Sequence, residues 1–261
     1  MFIKFLIKDI SLNSFNKSEV HEFVKTGGEI YSSFRKKIHP SLDKYIKENG
    51  HIDANQLRGE WFPEVPADIF LSHSHADEQT ALALAGFLHK NFNVNVFIDS
   101  TIWKNIADLQ RLVDEPLRFY PNGRYNYDKR NQSTAYVHLL LSTALTKMMD
   151  NSEAIFFLST EKSLSSNEQN ITESVWIYHE LFTSQFLRLK SPERYNRIQK
   201  SFSGGIMEAR VEDGFKMDFK VNLNDFKILD PDRINKWIKS YHPSYSQDIN
   251  ALDMLYSLYK E

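Results

Sequence analysis

The chain has 261 residues, 41% of them hydrophobic and 13% aromatic, which is ample for a packed core and excludes a disordered tail. Its 32 Lys and Arg nearly balance 34 Asp and Glu, so charge gives no case for nucleic acid or an anionic membrane as the main partner. With no cysteine, disulfides, thiolate catalysis and Cys-based zinc sites are excluded, as fits a cytoplasmic protein.

The opening Met1-Phe-Ile-Lys-Phe-Leu-Ile-Lys8 is too short and too broken by lysine for a signal peptide. No apolar run approaches the ~20 residues a spanning helix needs, so a soluble protein is expected. Over 17–48 apolar positions recur at helical spacing (Val20, Phe23, Val24, Ile30, Tyr31, Phe34, Ile38), with breaks expected at Gly27-Gly28 and near Pro40. Glu60-Trp-Phe-Pro-Glu-Val-Pro66 reads as a linker because its prolines exclude regular structure. The expected organisation is an N-terminal helical extension over 1–64 and an α/β domain over 65–261.

From residue 67 strands and helices alternate. Strands are predicted at 67–72, 94–99, 154–159 and, with the weakest pattern, 215–221; helices at 75–90, 133–150 and 173–190. This alternation predicts a parallel sheet covered by helices on both faces. In such a sheet ligands collect outside the carboxyl ends of the strands. The run Asp68-Ile-Phe-Leu-Ser-His-Ser-His-Ala-Asp77 would place Ser72, Ser74 and Asp77 at that rim. Ser74-His-Ala-Asp77 also reads as a helix-capping box in its own right.

Residues 104–132 break the alternation and end in a turn-rich, aromatic and basic stretch with Tyr120, Tyr125, Tyr127, Lys129 and Arg130. A loop this long predicts a lid, an assembly surface or a surface decoration. The final part, 230–261, reads as helical, with Ile234, Trp237, Leu252 and Leu255 facing inward.

The helix beginning near Thr172 contains Ser174-Val-Trp-Ile-Tyr-His-Glu-Leu181. Its apolar stripe is expected to be Val175, Tyr178, Phe182, Phe186 and Leu189, leaving Trp176 and Glu180 together on another face. Alone, these two read as a solvated glutamate and a tryptophan packed on a neighbouring helix. His73, His75, His138 and His179 lack metal-ligand spacing, and the chain has neither a Gly-x-Gly-x-x-Gly nor a phosphate-binding P-loop.

Three motifs in order resemble TIR (Toll/interleukin-1 receptor) domains: Asp68-Ile-Phe-Leu-Ser-His-Ser with Asp77, Phe97-Ile98-Asp99, and Ser159 followed by Ser174-x-Trp176-x-x-x-Glu180-Leu181. The likeness covers most of residues 67–190 and implies a flavodoxin-like α/β fold. Many TIR domains cleave NAD+, and in those the glutamate four residues after the tryptophan is catalytic; the matching position is Glu180. The resemblance implies Trp176, Ser72, Ser74, Asp77, Asp99 and Trp103 as substrate-binding residues, NAD+ as substrate, no cofactor and no metal. It further implies homo-oligomers formed through TIR–TIR contacts and a signalling nucleotide sensed by a separate effector, as in bacterial antiphage systems of the Thoeris type. A non-catalytic TIR adaptor and a nucleoside 2-deoxyribosyltransferase-like enzyme are the alternatives. The chain departs from the family in the 104–132 segment, where a short Pro-Gly turn is usual, and in residues 1–64.

Overall fold

The computed structural model describes residues 3–32, 42–103, 106–115, 126–165, 170–188, 190, 192, 218–241 and 250–259. The chain forms two compact units, one from 1–30, 66–98 and 149–261, the other from 31–65 and 99–148.

The first unit is built on a five-stranded, all-parallel sheet. Its strands are β1 (Ile3–Ile7), β2 (Ile69–Ser72), β3 (Val96–Phe97), β4 (Ala154–Leu158) and β7 (Lys227–Leu229), in the spatial order β3-β2-β4-β1-β7. Counted from residue 66, the first three strands take the 2-1-3 order of a flavodoxin-like sheet. The next place, which that order gives to the strand after β4, is held by β1. Residues 3–7 are therefore a central strand, and the expected helical extension over 1–64 is corrected. Of the two lysines that interrupt this run, Lys4 is buried within the strand and Lys8 lies beyond its end. β5 (Ile171–Thr172) and β6 (Phe219–Lys220) pair separately and antiparallel, so the weak strand expected at 215–221 lies outside the main sheet.

Register sorts the side chains. Phe5 pairs with Phe156 while Ile69 pairs with Ala154 and Val96, so Phe5, Ile7, Ile69, Leu71, Val96, Phe156 and Leu158 share one face. That face packs on α3 (Glu78–Phe92), α8 (Pro231–Ser240) and α9 (Ala251–Ser257) as the main core, where Trp237 stacks on Phe92 at 4.0 Å. The opposite face carries Lys4, Leu6, Phe70, Ser72, Phe97, Ile155 and Phe157, and α7 (Val175–Phe186) lies over it.

α1 (Val20–Glu29) runs unbroken through Gly27-Gly28, where a break was expected. It packs on α3 so closely that a Cβ on Gly27 would stand 2.1 Å from the Leu82 carbonyl oxygen, and one on Gly86 1.9 Å from that of Phe23. The glycine is there for the helix crossing, not for a turn. Pro40 lies outside the described residues.

The second unit contains α2 (Ala54–Trp61), α4 (Asp99–Ile102), α5 (Ile106–Asp114) and α6 (Tyr127–Asn151) as far as Met148. α2 reaches into the segment read as a linker, and the chain passes between the two units several times, at 30–31, 65–66, 98–99 and 148–149. Much of the expected 104–132 loop is helix: Ile106–Asp114 and the first turns of α6. Tyr120 and Tyr125 lie outside the described residues, and Tyr127, Lys129 and Arg130 are exposed on α6.

Candidate functional site

In a 2-1-3 sheet the chain passes to opposite sides of the first strand, which opens a crevice at the carboxyl ends of β2 and β4. Ser72 is the last residue of β2 and pairs with Phe157 of β4. Its side chain is 1% exposed, and its hydroxyl donates to Glu180 Oε2 at 2.5 Å. Glu180 is itself only 7% exposed.

The burial of Glu180 corrects the expected stripe of α7. Ser174 caps this helix by accepting from the Ile177 N–H at 3.3 Å, and the inner face is Ile177, Glu180, Leu181 and Ser184. Val175 and Phe186 are exposed. The aromatic residues Tyr178, Phe182 and Phe186 stack along the helix, and Tyr178 stacks on Phe219 of β6 at 4.5 Å. Aromatic spacing marked a second packing surface, while the sheet took the smaller residues and the glutamate. Leu189 lies outside the described residues. Trp176, one turn before Glu180, is half-buried and meets His179 edge-on at 6.3 Å.

Lys4 reaches the same helix from β1. It is 7% exposed; its ammonium donates to the Ser184 carbonyl at 3.5 Å, lies 3.6 Å from Asp225 and stands 5.3 Å from the centre of the Phe226 ring. Burial pushes its pKa below the usual lysine value, with Asp225 opposing the shift.

The other expected site residues divide. Asp77 is 6% exposed and is held from the loop after β4: Thr160 Oγ1 donates to Oδ2 at 2.5 Å, and Lys162 pairs with Oδ1 at 3.1 Å. Ser74 is half-buried, and its side chain makes no capping bond, so the capping box does not form. Asp99 starts α4 in the second unit. Trp103, also in that unit, is buried, with its ring edge-on to Phe62 at 5.3 Å and its indole N–H donated to the Pro63 carbonyl at 3.1 Å. Those contacts give Trp103 a packing role within its unit. Among the described residues no group of three His, Asp or Glu side chains could hold a metal ion.

Lys4, Thr160 and Lys162 had not been singled out from sequence. A lysine in an apolar run and a threonine in a polar loop give no signal until the fold supplies their partners.

Chemically, the site offers a carboxyl group shielded from water and held by a hydroxyl at the carboxyl end of a central strand. In a low-dielectric site such a fixed charge stabilises a developing cation far better than it would in water. The fold and site thus define an α/β protein with a flavodoxin-like parallel sheet and a buried Ser–Glu pair at its switch point. The chain matches no protein-family model, no curated protein and no solved structure.

Proposed function

We propose that the chain cleaves NAD+ at the nicotinamide–ribose bond, with Glu180 as the catalytic residue. The observation that carries this reading is the buried Ser72–Glu180 pair at the carboxyl end of β2. Breaking this bond builds positive charge on the ribose C1′ and its ring oxygen, and a nearby carboxylate stabilises that oxocarbenium-like state. The bond electrons leave with nicotinamide, which departs neutral, so no strong general acid is required. Water, or a nucleophilic group of the ADP-ribosyl unit itself, then bonds to C1′ and gives up a proton. Trp176, on the turn before Glu180, offers a flat ring to the nicotinamide.

In this reading the product is a signalling nucleotide, a cyclic or conjugated ADP-ribose, sensed by a separate effector in a bacterial defence system. Assembly of copies through TIR–TIR contacts would accompany activity. The experiment is to incubate the purified full chain with NAD+ and, separately, with deoxynucleosides, and to resolve the products. Glu180→Gln keeps the shape and removes the charge; its expected effect is a loss of 10²–10³-fold in rate, about 3–4 kcal/mol. A folded Glu180→Gln protein that releases nicotinamide at the parental rate sinks the assignment. Base exchange on deoxynucleosides without NAD+ cleavage would point to a deoxyribosyltransferase instead.

A further inference from the structure

Asp77 has more partners than the start of a helix requires. Both its carboxylate oxygens are engaged from the loop after β4, Oδ2 by Thr160 and Oδ1 by Lys162, and the Lys162 ammonium also donates to the Ala76 carbonyl at 3.0 Å. The loop is closed on itself at the same point. The N–H groups of Ser163 and Leu164 both donate to the Thr160 carbonyl, at 3.1 and 3.0 Å, and the Thr160 N–H donates to Ser163 Oγ at 2.8 Å. Lys162 N–H donates to the Thr160 hydroxyl oxygen at 3.1 Å, so that hydroxyl accepts from its own turn while donating to Asp77.

The position gives these contacts a consequence. Ser159 follows β4 directly and donates its N–H to the Ile7 carbonyl at 2.9 Å, so the loop starts at the carboxyl rim. Asp77 stands five residues after Ser72, on the adjoining strand's exit. A tie between these two exits joins the segments that leave β2 and β4 at the rim where Ser72 ends its strand. Surface ion pairs usually contribute little, but this carboxylate is 6% exposed and its partners include a hydroxyl at charge-assisted length.

We propose that Asp77, Thr160 and Lys162 form a latch that fixes residues 159–165 as one wall of the crevice, and that this wall places the substrate over Glu180. The three are positioning residues, and the substrate half of the statement rests on the NAD+-cleaving reading above. Asp77 then acts on the substrate through the wall it holds, by way of Thr160 and Lys162.

The test compares full-length Asp77→Asn, Thr160→Val, Thr160→Ser and Glu180→Gln with the parent, by amide hydrogen exchange and by NAD+ turnover. Asp77→Asn and Thr160→Val should speed exchange at the Ser163 and Leu164 amides about tenfold, as loss of one strong hydrogen bond allows. Both should raise KM about tenfold and leave kcat within about threefold, which a merely structural contact would not do. Thr160→Ser, which restores the hydroxyl, should match the parent in both measurements. Glu180→Gln should leave exchange unchanged while abolishing turnover. Unchanged exchange in Asp77→Asn overturns the latch. Faster exchange with an unchanged KM overturns its role in placing substrate. A parent that cleaves no NAD+ overturns the site reading and the substrate role with it, and exchange then decides the latch alone.

Discussion

At the scale of single residues, the sheet face under α7 is unusual in burying two ionisable groups, Glu180 and Lys4, each 7% exposed. Glu180 was legible as a candidate only through the resemblance of Ser174-x-Trp176-x-x-x-Glu180-Leu181 to the TIR pattern. Its burial was not, because that depends on which helix face the sheet accepts. Lys4 shows what such burial costs. Its partners are weak for an ammonium taken out of water: a long bond to a carbonyl, a ring, and an aspartate that is 68% exposed. Folding therefore holds the Lys4 pKa below the 10.5 it has in the unfolded chain. Between the folded value and 10.5 the unfolded chain carries a proton that the folded one has lost, so this lysine's contribution to stability rises with pH across that window. Lys4→Met keeps the stem and removes the charge, and replacing a poorly compensated buried charge in this way is often neutral or stabilising. Denaturant unfolding at about pH 7 and about pH 10 checks the expectation. The variant should be at least as stable as the parent at the lower pH, and the parent should gain on it at the higher. A variant much weaker at neutral pH that draws level in alkali would show the charge to be a net stabiliser.

At the scale of elements, periodicity located most helices and strands but misjudged the residues at contacts. Gly27-Gly28 looked like a helix break because glycine lowers helix propensity by about 1 kcal/mol. The two glycines in fact do different things within one helix. Gly27 faces Leu82 of α3 with no room for a side chain, and Gly86 answers it from α3 against Phe23. Gly28 has nothing within 4 Å of where its Cβ would be. The two neighbours should therefore respond oppositely to the same change. Gly27→Ala forces the helices apart and is expected to destabilise by about 1–3 kcal/mol. Gly28→Ala should stabilise by about 0.5–1 kcal/mol through backbone entropy alone. Thermal unfolding of the two variants decides the matter, and an equal response would refute the crossing. The aromatic stripe of α7 teaches the same lesson: Tyr178, Phe182 and Phe186 have core spacing, yet their partners are one another and Phe219.

At the scale of the whole molecule, a parallel sheet covered by helices was legible from the alternation after residue 67 and its flavodoxin-like order was implied by the resemblance, while its completion was not. The missing strands are short, Ile3–Ile7 and Lys227–Leu229, and three to five residues carry too little period-two pattern to separate them from a loop or a helix end. Topology also hid them, because the fourth place in the sheet is filled from the far end of the sequence. β1 pairs with β4 over five residues and with β7 over three, and it buries Phe5 and Ile7 completely. Full burial of two such side chains is worth roughly 3–6 kcal/mol, comparable with the ~5–15 kcal/mol that holds a domain together. Its removal would also strip β7 of its only described partner in the sheet and expose one edge of β4. A fragment of residues 65–261, a natural choice from the sequence pattern alone, is therefore expected not to fold. Full-length protein should unfold cooperatively with a near-ultraviolet circular-dichroism signal, and the fragment should show neither. Supplying residues 1–30 in trans, the part that belongs to the same unit, should restore both signals, because the fragment lacks β1 and α1 and little else of that unit. A fragment that melts cooperatively on its own would show that β1 is dispensable to the sheet it completes.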